Sequence, residues 1–182
     1  MLMGFVAEYR LSQMWFSDAR IHHWTRYDDH DRTRRGDFWF TYQGVQLSVE
    51  IKSLQSNSVR QAIQRYEGKV QVDASDSKPT KLPNGDIVKT ACLVPGGFDI
   101  LAVNLFEFGQ KWRFGFIKNS DLPHSTSKKY TEEQRKYLLA TSVNVTWPLQ
   151  APFHDEPFTI IDEIVAEKKA KGKKKTLGAS TT

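Results

Sequence analysis

The sequence holds one cysteine, Cys92, in 182 residues. No intrachain disulfide framework can form and a cysteine-rich zinc centre is excluded, so a reducing compartment fits. No segment approaches the roughly 20 uncharged residues of a membrane-spanning helix. The amino-terminal stretch carries Glu8 and Arg10 among its apolar residues and does not open on a basic segment followed by an apolar run. Membrane insertion and secretion are disfavoured, and a cytoplasmic or nucleoid-associated location is expected. No internal repeat, no Gly-x-Ser-x-Gly, no glycine-rich phosphate loop ahead of a helix and no base identifiable beside Cys92 is present. Serine and cysteine nucleophile chemistry therefore has little support.

Charge of one sign is also scarce outside one end. The formal charge is +5, but Lys168, Lys169, Lys171, Lys173, Lys174 and Lys175 cluster with only Glu167 beside them, which leaves residues 1–165 neutral. Any basic surface on the body must be a local patch. With 39% apolar and 12% aromatic residues the chain supports one α/β domain, expected over 1–166. Residues 167–182 are expected to be a basic tail without fixed structure, which either adds salt-sensitive affinity for a polyanion or serves equally well as a solubilising end.

Apolar spacing between Gly4 and Phe16 predicts a helix, and Ile21 to Tyr27 a strand. The stretch from Asp28 to Gly36 has no apolar residue and reads as a solvated loop. Alternation over Asp37–Tyr42 and Val45–Lys52, with Gln43-Gly44 between, predicts a β-hairpin with a two-residue turn. A helix is expected from Asn57 or Ser58 to Gly68 on Val59, Ala62, Ile63 and Tyr66, followed by a polar connection with Pro79, Pro83 and Asn84-Gly85. Phe98 to Phe108 is nearly continuous in apolar residues, as in a central strand buried on both faces. Trp112, Phe114 and Phe116 alternate along another strand, Thr131 to Gln134 has the spacing of a capping box opening a helix through Ala140, and a last helix begins near Pro157.

The hairpin carries the chemistry. Its two-residue turn sets Asp37 opposite Glu50 on the polar face, about 4.5–5.5 Å apart at Cα, where like charges destabilise each other unless something neutralises them. A divalent cation does so simply, and Mg²⁺ favours a few carboxylate oxygens with water and substrate phosphate. Lys52 projects to the same face as Glu50 and can position water and offset charge on a phosphate. The same three residues would equally make the solvated side of an amphipathic hairpin, and Glu-x-Lys alone is a weak motif.

The order helix, strand, Gly-Asp-led strand, return strand with Val-Glu-Ile-Lys, helix and apolar strand resembles the αβββαβ core of the PD-(D/E)XK, or restriction-endonuclease-like, nuclease superfamily over about residues 4 to 118. The resemblance implies a central mixed β-sheet flanked by helices and a Mg²⁺-dependent DNA endonuclease in which Mn²⁺ can substitute. Asp37, Glu50 and the Ile51 carbonyl would hold the metal, and Lys52 would assist the attacking water. Glu8 resembles the acidic residue that many members carry on the first helix. Gln61, Gln64 and Tyr66 fall where some members place a glutamine and a tyrosine on the following helix. Gly36 replaces the nominal proline. The alternative reading is a catalytically inactive module of this fold that binds nucleic acid or assembles with a partner protein; a homodimer would suit cutting of two strands.

Nucleic-acid contacts are expected from Arg32, Arg34 and Arg35, joined by Arg26 in a basic lip beside Asp37, from Gln64, and from Trp39, whose parity puts it on the site face. Solvated charge is the competing reading of the lip. Lys111, Arg113, Lys118, Lys128 and Lys129 either extend such a surface or are scattered exterior. His22, His23 and the acids from Asp28 to Asp31 have metal-ligand chemistry, but adjacent histidines on a strand face opposite ways, which disfavours a second centre.

Overall fold

The computed structural model describes residues 2–26 and 36–178. Helix α1 (Leu2–Leu11) continues as a π-helical turn, Ser12–Phe16, and the chain reverses into strand β1 (Ile21–Arg26). The reversal is held by Asp18, whose carboxylate accepts bonds from the Arg20 backbone N–H and guanidinium. Strand β2 (Phe38–Tyr42) returns through Gln43 and Gly44 into β3 (Val45–Ser53), and both turn residues adopt left-handed backbone at φ +48° and +74°. Such a turn matches the strand twist and fixes the register, which runs from Tyr42 opposite Val45 to Phe38 opposite Val49, as the sequence alternation predicts.

Four strands follow: β4 (Arg60–Ala62), β5 (Arg65–Gln71), β6 (Asp73–Lys81) and β7 (Ile87–Cys92). The chain then forms β8 (Ile100–Asn104), β9 (Phe114–Lys118), the one-turn helix α2 (Glu132–Arg135), β10 (Ser142–Trp147) and helix α3 (Phe158–Gly178). A five-stranded sheet in the order β1-β2-β3-β8-β9 is antiparallel except where β3 runs parallel to β8. Strands β10-β5-β4 form a second sheet, and β6-β7 a two-stranded ribbon.

The central sheet is mixed, with helices flanking it on one face. There Phe38, Phe40, Leu47, Val49, Ile51, Ile100 and Ala102 pack with Ala7 and Leu11 of α1 and with Phe158, Ile161, Ile164 and Val165 of α3. The opposite face buries Leu101, Val103 and Ile117 against Val70, Val72, Phe108 and Val145. Strand β8 is buried on both faces, which accounts for its continuous apolar run.

The helix expected over residues 57–68 is absent, so the αβββαβ order is corrected to one in which β4 to β7 connect β3 to β8. From Arg65 to Gln71 the side chains alternate between exposed Arg65, Glu67, Lys69 and Gln71 and inward Tyr66, Gly68 and Val70, a period of two. Gly68 is no helix stop: its missing Cβ lets the Phe108 ring approach, since a Cβ there would meet Phe108 Cε1 at 3.1 Å. The capping box at Thr131 and Gln134 forms on both sides, but its helix ends at Arg135 rather than Ala140. Residues 167–178, expected to lack structure, continue α3. Lysine and alanine favour helix, and Lys168 Nζ anchors this extension on Asp99 Oδ2 at 2.8 Å and on the Gln46 carbonyl at 2.9 Å.

Phe40 is 1% exposed and packs ring to ring with Phe16 at 5.5 Å. Phe40→Ala should cost about 3–5 kcal/mol in urea denaturation, through lost burial and the cavity left under the helices.

Candidate active site

Where the chain enters β2, Gly36 takes φ +91°. A Cβ at Gly36 would lie 3.1 Å from the Val49 carbonyl oxygen and 3.3 Å from Ser48 Cβ. Proline, fixed near φ −65°, cannot adopt this conformation, so glycine here is required by the local path rather than a neutral replacement. The tight approach brings Asp37 onto β3: its N–H donates to the Val49 carbonyl at 2.8 Å, and its Oδ2 accepts from the Ile51 N–H at 2.6 Å. In a strand the N–H and C=O of one residue point to the same side, so the Ile51 carbonyl is directed to the edge where Asp37 sits.

Alternation along β3 places Glu50 and Lys52 on the face opposite Val49 and Ile51. Lys52 Nζ lies 2.8 Å from Glu50 Oε1, and both side chains are largely shielded, 27% and 13% exposed. Burial, then the charge of Glu50, pushes the Asp37 carboxyl up from 3.8 to about 7; Glu8 adds to the rise, while the Ile51 N–H and Lys52 oppose it. Burial alone would lower the Lys52 ammonium, but Glu50, Asp37 and Asp73 outweigh it and raise it above its ordinary value. Lys52 is therefore a cation at neutral pH.

Among the described residues, the site sets two carboxylates beside one ammonium, that of Lys52. Among the described residues no group of three or more His, Cys, Asp or Glu side chains is placed to hold a metal ion. Glu8 acts on Asp37 through its field, and its Oε2 lies 2.6 Å from Arg26 Nε. Asp37, Glu50 and the Ile51 carbonyl fit an ion that takes few protein oxygens and completes its shell with water and phosphate, as Mg²⁺ does. Beside them a cleft of about 220 Å³ is lined by Gly36, Glu50, Lys78, Thr80, Thr90 and Phe98. A more open hollow next to Lys52 is lined by Ser53, Gln55, Gln71, Asp73 and Ser77. The β6-β7 ribbon walls both.

Glu8, Asp37, Glu50, Ile51 and Lys52 are thus brought together. Trp39 stands half-buried on the site face, opposite Ser48 in the ladder. Gln64 does not join them: it occupies the β4-β5 turn at φ +61°, about 20 Å along β5 from the Lys52 hollow at the usual strand rise. Tyr66 stacks on Phe108 with centroids 5.6 Å apart and is a packing residue, and Gln61 is exposed on β4. Arg32, Arg34, Arg35 and the acids from Asp28 to Asp31 lie outside the described residues. Sequence reasoning missed the ribbon wall and Asp73, although Asn84-Gly85 is a hairpin-turn signal.

No protein-family model matches the sequence, and no curated protein matches it. Among solved structures, the bacterial homing endonuclease I-Ssp6803I is similar over 75% of this chain and 86% of that chain, with a TM-score of 0.41 and 16% identity. Neither family nor activity follows from a likeness of that size.

Gly36→Ala should destabilise the protein by about 1–3 kcal/mol in urea denaturation, because it adds both backbone strain and a contact on β3. A second expectation concerns pH in the metal-free protein. With its folded value raised, Asp37 favours the folded state below about pH 4, and that contribution is lost as pH rises through about 7. In chelator, the stability of wild type relative to Asp37→Asn should decline from pH 4 to pH 8 and then level off; a flat difference would contradict the raised carboxyl.

Proposed function

We propose that the chain is a Mg²⁺-dependent nuclease that hydrolyses phosphodiester bonds, with DNA as substrate and internal cleavage as its mode. The observation that carries this reading is the convergence of Asp37, Glu50 and Lys52 at one end of the β2-β3 ladder, beside a cleft, with the charge on Asp37 only partly offset by Lys52. Asp37, Glu50 and the Ile51 carbonyl would hold the ion, which when bound supplies Lewis-acid stabilisation of charge on the phosphate. Mn²⁺ would substitute for it.

Lys52 contributes a fixed positive charge and up to three N–H donors. Because it stays protonated, its work is to orient water and offset charge that grows on the phosphate, and not to remove a proton. The Ile51 N–H holds the Asp37 carboxylate in place, and Glu50 holds the Lys52 ammonium. Glu8, through its field on Asp37, strengthens the demand for a cation.

Calorimetric titration with Mg²⁺ or Mn²⁺ should show binding in wild type that weakens strongly in Glu50→Gln, a nearly isosteric loss of charge. Cleavage of supercoiled and linear DNA should fall more than about 100-fold in Asp37→Ala and Glu50→Gln, beyond the 10–100-fold typical of outer-shell changes. Lys52→Met should lose cleavage while keeping metal binding. Unchanged turnover in any of the three variants would overturn the mechanism. Salt-dependent DNA binding that is insensitive to Mg²⁺ and to Asp37, with no cleavage, would replace it with a noncatalytic module.

A further inference from the structure

The outward face of the β10-β5-β4 sheet has a composition that the fold alone does not require. Its inward face carries the apolar residues Val70 and Val145. Outward, β5 presents Arg65, Glu67, Lys69 and Gln71, all exposed. In register beside them stand Arg60 and Ala62 on β4, and Ser142, Asn144 and Thr146 on β10. Three cations share this face with one acid, Glu67, which Arg65 pairs at 3.0 Å. The excess of positive charge is notable because residues 1–165 are neutral as a whole. The face has no aromatic side chain and none that is both apolar and larger than alanine.

This face leads directly to the candidate active site. A concavity of about 340 Å³ lies along it, lined by Arg60, Arg65, Lys69, Asn144 and Thr146 among others. At the other end of β5, Gln71 and Gln55 are bonded to each other at 2.9 Å, and both line the hollow beside Lys52. From Gln71 to Arg65 the strand extends about 20 Å at the usual rise, the length of about six base pairs of B-form DNA at 3.4 Å each.

The geometry points to this face as the track for the duplex DNA that flanks the bond to be cut, an inference that rests on the nuclease reading and specifies its substrate. Arg60, Arg65 and Lys69 seat phosphates along the strand direction, and Asn144 supplies an amide donor and acceptor beside them. A duplex fits better than a single strand because the face offers no aromatic platform for unpaired bases. DNA fits better than RNA because short side chains on a sheet reach base edges across the wide major groove of the B form, and not across the deep, narrow one of A-form RNA.

The test is fluorescence anisotropy of the full chain with a 30-base-pair DNA duplex across a salt series, with Ca²⁺ replacing Mg²⁺ to suppress cleavage. Arg60→Ala, Arg65→Ala and Lys69→Ala should each flatten the slope of log affinity against log salt by about 0.9, and the triple variant by nearly three such steps, with at least tenfold weaker binding. Arg65→Lys should retain the wild-type slope. Thermal melting checks that each variant remains folded, as expected for exposed positions. Duplex binding with an unchanged slope in the triple variant would overturn the track while leaving the active-site reading intact. Tighter binding of single-stranded DNA or of duplex RNA than of duplex DNA would overturn it as well. A track-dependent slope in a protein that cleaves no DNA with Mg²⁺ would instead remove the nuclease reading and leave the track standing.

Discussion

The hydrogen bond from the Ile51 amide to the Asp37 carboxylate determines the site, because it holds together two acids that would otherwise move apart. Each condition for that bond is met by a different part of the chain. The Gln43-Gly44 turn fixes the ladder, Gly36 allows the chain to press onto β3, and the burial of Phe38, Val49 and Ile51 beneath α1 and α3 prevents slippage. A slip by one residue would carry Glu50 and Lys52 into that apolar layer, so the hydrophobic core specifies the position of the charges. The bond also shows why the Asp37 carboxyl remains high: one amide donor and the nearby ammonium only partly offset burial and the charge of Glu50.

The β2-β3 hairpin and its acids were legible in the sequence because the signal is local. Alternation, a two-residue turn and the Val-Glu-Ile-Lys return all lie within about one hairpin, and β8 was legible because a strand buried on both faces is apolar throughout. The β4-β5 hairpin was not, for two reasons. Val59, Ala62, Ile63 and Tyr66 fall by coincidence at helical spacing, and the partner that favours a strand, β10, lies far away in sequence. Gly68 looked like a helix terminator because its actual role, to admit the Phe108 ring, depends on a contact with a residue 40 positions on. The field of Asp73 at the site was hidden for the same reason, since no periodicity encodes a distance between elements, and Glu8 was named only through the family resemblance.

The two faces of the central sheet are covered differently, and this asymmetry opens the site. Helices α1 and α3 close one face completely with aliphatic and aromatic side chains. On the other, the small sheet and its neighbours bury Leu101 and Val103 of β8, the residues beside Glu50 and Lys52 in the parallel ladder. The covering is incomplete at β3, where the β6-β7 ribbon stands off and leaves the cleft and the hollow. Polar side chains can persist there because the space is open enough for water and substrate, whereas full closure would leave a buried carboxylate pair uncompensated.

The protonation states then set what the charges of the candidate site can do. Lys52 is charged, Glu50 Oε1 lies 2.8 Å from it, and one Asp37 oxygen, Oδ2, accepts from the Ile51 amide. Lys52 therefore stands as a fixed positive charge, while the Asp37 carboxyl, raised to about 7, is the one of the three that can exchange a proton near neutral pH. A site built on such charges tolerates little displacement, and a pair of strands locked by a turn and a core meets that demand better than a loop does. The placement of the charges on β3 and at the entry to β2, rather than on the longer connections, is therefore the arrangement that holds them most firmly in register.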